Sequence, residues 1–122
     1  MTIAYDDDNI FAKILRGEIP CKKVHEDEHT LAFEDIAPQA PVHTLVIPKG
    51  KYVSMTDFAA KASDAELAAF NRAILKVVEI KGLQNSGYRL ITNNGFNGGQ
   101  EVPHLHVHVL GGRPLGPMLT RM

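Results

Sequence analysis

Three histidines stand at alternate positions near the C-terminus, in Pro103-His104-Leu105-His106-Val107-His108-Val109-Leu110. Side chains alternate between faces along a strand, so His104, His106 and His108 share one face. Leu105, Val107 and Val109 share the other, which is expected to pack on a core helix. A row of imidazoles is a poor structural choice, because each is costly to bury unpaired and a charged row repels itself. A solvated sheet face explains a single histidine. Three in strict alternation after the glycine-rich run Asn93-Asn94-Gly95-Phe96-Asn97-Gly98-Gly99 point to chemistry.

Two chemistries use such a row. One is a metal site, since a His-x-His pair on a strand can supply two zinc ligands. Positions i and i+4 lie about 13 Å apart at ~3.3 Å per residue, so one ion cannot be reached by all three. A further ligand such as His43 or a carboxylate is then needed. The other is nucleophilic catalysis, in which one imidazole attacks while its neighbours orient it and donate to an anion. Phosphorus suits this reading, because a glycine-rich loop offers backbone N–H groups to phosphate oxygens. Alternation does not choose which histidine attacks.

The elements that must position this row are short. Asp7, Asp8 or Asn9 caps a helix from Ile10, with Ile10, Phe11, Ile14 and Leu15 on one face and Gly17 at its end. Lys23–Glu26 and Thr30–Glu34 read as a hairpin turning at Asp27-Glu28, and Val42–Ile47 as a third strand stopped by Pro48-Lys49-Gly50. Ser63 and Glu66 form a capping box opening the longest helix. Leu67, Phe70, Ile74, Leu75, Val77 and Val78 form its stripe, alanines 65, 68, 69 and 73 permit a second packing face, and Gly82 ends it. Gly87–Thr92 and His104–Leu110 are the fourth and fifth strands. Five strands with hairpin-length links and two helices predict an α+β antiparallel fold, one domain over residues 1–122 with a short tail at 113–122.

Composition narrows the partners. The 122 residues carry 13 basic and 14 acidic side chains, a net charge of −1, with 44% hydrophobic residues, as in an ordinary globular chain. No basic excess points to nucleic acid, and no polybasic run to anionic lipid. The lone Cys21 cannot form an internal disulfide and reads as a small packed side chain. The start MTIAYDDDNIF lacks a basic segment followed by an apolar run, and no stretch reaches the ~20 apolar residues of a membrane span. A cytoplasmic protein is expected.

The histidine run resembles the H-φ-H-φ-H-φ-φ signature of the histidine triad (HIT) superfamily. The wider similarity is to its Hint branch, the purine nucleoside phosphoramidases. It runs through Asn9-Ile10-Phe11 with Ile14, Gly17-Glu18-Ile19-Pro20, Ala32-Phe33-Glu34-Asp35-Ile36, Pro38-Gln39-Ala40-Pro41 with His43, Val46-Ile47-Pro48-Lys49, Gly98-Gly99-Gln100-Glu101 and Leu110-Gly111-Gly112-Arg113.

The resemblance implies a five-stranded antiparallel sheet with two helices, joined across a homodimer into a ten-stranded sheet. It implies a nucleotide-binding hydrolase that needs no cofactor or metal. His106 becomes the nucleophile, attacking the α-phosphorus of a purine nucleoside phosphoramidate to form a nucleotidyl-histidine. His108 donates to a phosphate oxygen, the carbonyl of His104 holds the other nitrogen of His106, and His104 and His43 support them. Asp35 matches the position that binds the ribose hydroxyls, Asn93 one near the phosphate, and Gly99, Gln100 and Glu101 the approach to the triad. Ile10, Phe11, Ile14, Phe33, Ile36 and Leu45 resemble the apolar slot around the purine. Glu101 is a departure, since better-known members carry a serine there; tryptophan is absent from the tail.

Two other readings compete. A dinucleoside polyphosphate hydrolase of the same superfamily is disfavoured by Leu110-Gly111-Gly112-Arg113. A zinc-binding interaction module is separable by metal content.

Overall fold

A computed structural model describes residues 4–120. It contains α1 (Ile10–Leu15), β1 (Lys23–Glu26), β2 (Thr30–Glu34), β3 (Val42–Pro48), α2 (Met55–Lys61), α3 (Asp64–Ile80), β4 (Tyr88–Ile91) and β5 (Val107–Gly111). The strands form one antiparallel sheet in the order β1-β2-β3-β5-β4. The last two residues of the expected tail lie outside the described residues.

The sheet separates two apolar layers. On one face Ala32, Val46, Leu105, Val107 and Val109 pack with Phe70, Ala73, Val77 and Val78 of α3 and Phe58 of α2. On the other, Leu31, Phe33, Leu45 and Ile47 pack against Phe11 of α1. The period-2 alternation of β2 and β3 produces this division, because neighbouring residues such as Leu45 and Val46 point oppositely. Burial of a Leu, Val or Phe side chain contributes ~1.5–3 kcal/mol, so both layers resist a one-residue slip of register.

Local signals set the helix boundaries. The Asn9 side chain accepts from Ala12 N, and Gly17 turns the chain out of α1 at φ 77°. The Ser63–Glu66 capping box is complete in both directions.

The sequence reading needs three corrections. The described residues contain three helices: α2 is capped by Ser54, whose hydroxyl accepts from Asp57 N, but seven residues with Phe58 alone fully buried carry too little periodicity to announce a helix. Leu75 is exposed on α3, while Ala73 is 1% exposed in the core, because the buried stripe runs through Phe70, Ala73 and Val77. The fifth strand begins at Val107, not His104. Leu105 N donates to Tyr52 O at 2.8 Å, and the Pro48 carbonyl meets the His104 ring, so neither is free to continue the ladder. Face parity nonetheless holds through 105, 107 and 109.

Candidate active site

β5 and the segment before it carry the three histidines to the α1 side of the sheet. His108 lies opposite Leu45 in the β3–β5 register and His43 opposite Leu110, so His43 and His108 are diagonal neighbours. Phe11 of α1 packs edge-on against His106 at 4.9 Å and Phe33 at 5.7 Å between ring centroids. A cavity of about 240 Å³ opens here, lined by Phe11, Asp35, Gln39, Leu45, Asn93, Gly99, Glu101, Val102, His106 and His108.

Hydrogen bonds assign the protons on the rings. A carbonyl oxygen only accepts, so His106 Nδ1 carries the hydrogen it gives to His104 O at 2.8 Å. In the neutral ring, Nε2 of His106 then keeps a lone pair. His104 Nε2 donates to Pro48 O at 2.9 Å, so its Nδ1 accepts the Tyr5 hydroxyl at 2.6 Å. His43 Nδ1 accepts from Gln39 N at 3.1 Å, which leaves the proton on Nε2 to donate to His108 Nδ1 at 2.8 Å. His108 consequently presents Nε2–H as a donor. Of these four histidines, His106 alone has a ring nitrogen both unprotonated and without a hydrogen-bond partner among the described residues.

Burial maintains these protonation states. It lowers the pKa of His106, against its bond to His104 and the pull of Asp35 and Glu101. It pushes His104 and His108 each down to about 4, with the neighbouring His106 acting in the same direction. Neutral imidazoles at pH 7 therefore offer one nucleophilic nitrogen (His106) beside one N–H donor (His108), with ring centroids 5.1 Å apart.

The glycine-rich loop is braced by side-chain hydrogen bonds. Gln100 Nε2 donates to Val53 O at 2.6 Å and Val102 O at 3.1 Å, while its Oε1 accepts from Gly95 N at 3.0 Å. Asn94 Oδ1 accepts from Thr56 N and Oγ1, and Asn93 Nδ2 donates to Gly98 O at 2.6 Å. A Cβ on Gly98 would come within 2.5 Å of Asn94 O, so the turn requires glycine there.

The expected site residues divide by location. His106, His108, Asp35, Asn93, Gly99, Glu101, Phe11 and Leu45 line the cavity. His104 lies buried beneath it and His43 behind His108. Gln100 braces the loop with its side chain. Of the apolar slot, Phe33 is buried under Phe11, and Ile14 lines a neighbouring hollow of about 520 Å³. Ile10 is 41% exposed and Ile36 94%, the latter at the edge of a hollow of about 630 Å³ that shares Asp35. Periodicity placed Ile10, Phe11, Ile14, Phe33 and Leu45 on their helix and strands but could not tell core from rim, and Ile36 lies in the loop between β2 and β3. Sequence reasoning missed Gln39, Val102, Tyr5 and Thr92, whose hydroxyl donates to His106 O at 2.8 Å. None of the four carries a local signal, since each acts through a partner distant in the chain or through backbone.

Asp35, His43 and His108 also bring ligand-type atoms within 4.8 Å of one another, the arrangement a divalent ion could use. The proton positions oppose it. A metal on His43 Nε2 would force hydrogen onto Nδ1, directly against the Gln39 N–H.

A family model described as the HIT domain matches residues 16–115. The chain is 59% identical over 121 residues, 99% of each protein, to a 13.2 kDa HIT-like protein of Azospirillum brasilense. It is 47% identical over 114 residues to the purine nucleoside phosphoramidase of Escherichia coli K12, covering 93% of this chain and 95% of that one. A solved HIT family hydrolase from Clostridium thermocellum superposes with a TM-score of 0.84 at 41% identity, covering 94% of this chain and 99% of that one.

Proposed function

Since this chain belongs to the HIT domain family, we propose that it hydrolyses the P–N bond of purine nucleoside 5'-phosphoramidates through a nucleotidyl-histidine intermediate. The observation that carries this reading is the lone unprotonated Nε2 of His106 beside the Nε2–H of His108. The similarity to a named purine nucleoside phosphoramidase supports the substrate class.

In this reading Nε2 of His106 attacks the α-phosphorus; the P–N bond breaks and the amine leaves with a proton taken from solvent. Water then attacks the same phosphorus and gives up a proton to solvent, the P–Nε2 bond breaks, and the nucleoside monophosphate departs. As the imidazole gains charge, its Nδ1–H bond to the His104 carbonyl strengthens. His108 donates to a phosphate oxygen as negative charge develops there. Asp35 serves the ribose hydroxyls as acceptor, and Asn93, Gly99 and Glu101 lie toward the phosphate end. Phe11 and Leu45 face the base, while Ile10, Ile14, Phe33 and Ile36 form the wider apolar surround. Denatured enzyme quenched during turnover with an adenosine phosphoramidate should gain the mass of one nucleotidyl group; its absence under accumulating conditions would count against a covalent route.

A cytoplasmic homodimer belongs to the same proposal. Strand β4 is a sheet edge, with Tyr88, Leu90 and Ile91 exposed, and pairing it with a second copy would give ten strands. No helix among the described residues is long and apolar enough to cross a membrane.

Lowered imidazole pKa values have a pH signature. Activity needs unprotonated His106, so it should stay level from neutral pH to below the ordinary histidine value of 6.5, then fall as the pH drops through the lowered value. Stability follows the same sign. The unfolded chain takes up protons near 6.5, whereas folded His104 and His108 do so only at about 4, so the native state weakens as pH falls between those values. Melting curves over that range, with rates measured at each pH, check both; a melting temperature flat from 6.5 to 4 would contradict the burial argument.

The Asp35–His43–His108 cluster is the observation favouring a zinc reading. The hydrogen bonding predicts instead that dialysed protein holds no stoichiometric zinc and that chelator leaves turnover unchanged. Retained zinc with chelator-sensitive activity would reverse the assignment.

A further inference from the structure

Residues 103–106 precede the strand ladder, whose last β3–β5 pair on that side is Val46 with Val107. The His104 carbonyl, which holds Nδ1–H of His106, therefore gets no orientation from cross-strand pairing. Two backbone bonds secure the segment, His104 N to Val102 O at 2.9 Å and Leu105 N to Tyr52 O at 2.8 Å. The Thr92 hydroxyl adds a bond to His106 O at 2.8 Å, and a further restraint comes through the His104 side chain. Its ring is wholly buried and fixed at both nitrogens, by Pro48 O at 2.9 Å and the Tyr5 hydroxyl at 2.6 Å.

We infer that Tyr5 is a positioning residue for the hydrolysis: its hydroxyl holds the His104 ring, and through it the carbonyl that aims Nε2 of His106 into the cavity. The inference rests on His106 being the nucleophile. Tyr5 does not line the cavity. It comes from the N-terminal segment, 99 residues away in sequence, and its ring meets His104 edge-on at 5.5 Å. Phe11 contacts the same imidazole edge-on at 6.3 Å, so two aromatic rings frame it. The segment bearing Tyr5 is itself tied down. Asp7 pairs with Lys51 at 2.8 Å, Arg16 donates to Asp7 O at 2.7 Å, and Asn9 caps α1. Burial pushes the Tyr5 phenol pKa up, which keeps it a donor. Removing it leaves the buried Nδ1 of His104 with no donor, and an unsatisfied group of this kind is relieved by moving the ring.

Tyr5→Phe keeps the aromatic ring and its edge contact and removes only the hydroxyl. With an adenosine phosphoramidate, kcat should fall about three- to tenfold, the size of one lost hydrogen bond, while KM stays within about twofold. The 15N shifts of the His104 and His106 imidazoles, recorded well below the melting temperature, should move while the backbone amide spectrum beyond the site does not. A wild-type kcat with unshifted imidazoles overturns the inference. So does a lower melting temperature with kcat unchanged, which would make Tyr5 a packing residue only. If the wild-type protein turns over no phosphoramidate, the proposed function fails, and the imidazole shifts still decide whether Tyr5 holds the histidine pair.

Discussion

Replacing His106 by asparagine is expected to lower phosphoramidate turnover by at least about ten-thousandfold, the scale seen when a covalent nucleophile is removed. The loss should fall on kcat. His106 is 7% exposed and packs against Phe11, so its ring also fills space. Asparagine retains a donor that can reach the His104 carbonyl and a polar face toward the cavity, which makes it the gentler substitution; His106→Ala leaves a void. Circular dichroism and the melting temperature of His106→Asn should remain close to wild type, and no nucleotidyl adduct should form. Retention of the wild-type rate by either variant would end the claim that this nitrogen attacks phosphorus.

The second large effect is expected at His108. Its Nε2–H is the donor left facing the cavity once Nδ1 is occupied by His43 at 2.8 Å. Removing one preorganised donor to a developing oxyanion costs about a hundred- to a thousandfold in rate. His108→Ala should therefore reduce kcat by that amount while the nucleotidyl intermediate still forms, slowly, on His106. The double variant His106→Asn/His108→Ala should be no worse than His106→Asn alone, because the donor acts on a step that no longer occurs. A His108→Ala enzyme within about threefold of wild type would show that phosphate charge is stabilised by another group.

Both predictions rest on an assignment that came in two stages. Placing His104, His106 and His108 on one face required only alternation, which a strand imposes locally; it survived even though the ladder stops at Val107. The capping box at Ser63 was equally legible, because its residues are three apart, whereas the structure chose Asn9 from three candidates at α1. The second stage was not legible. Which histidine keeps a lone pair depends on Pro48, Gln39, His43 and Tyr5, and side-chain spacing along β5 says nothing about them. The apolar slot failed in part for a related reason. Ile36 and Phe33 look alike as hydrophobic residues near Asp35, yet one is exposed and the other buried, because only Phe33 meets α1.

The sequence by itself determined the α+β class, the two sheet faces, the Ser63 capping box and the shared face of the triad, along with a resemblance strong enough to name the family. Those properties follow from backbone periodicity and from contacts within a few residues. Tertiary structure alone decided the third helix, the early stop of β5, the rim and core of the cavity, and the tautomers of His104 and His108. A ring nitrogen is protonated according to the partner that meets it; for His104 and His108 those partners come from 56, 65 and 99 residues away in the chain, whereas His106 meets the carbonyl two residues before it. Three chemically identical side chains thus become a nucleophile, a donor and a buried support only when the fold supplies their neighbours.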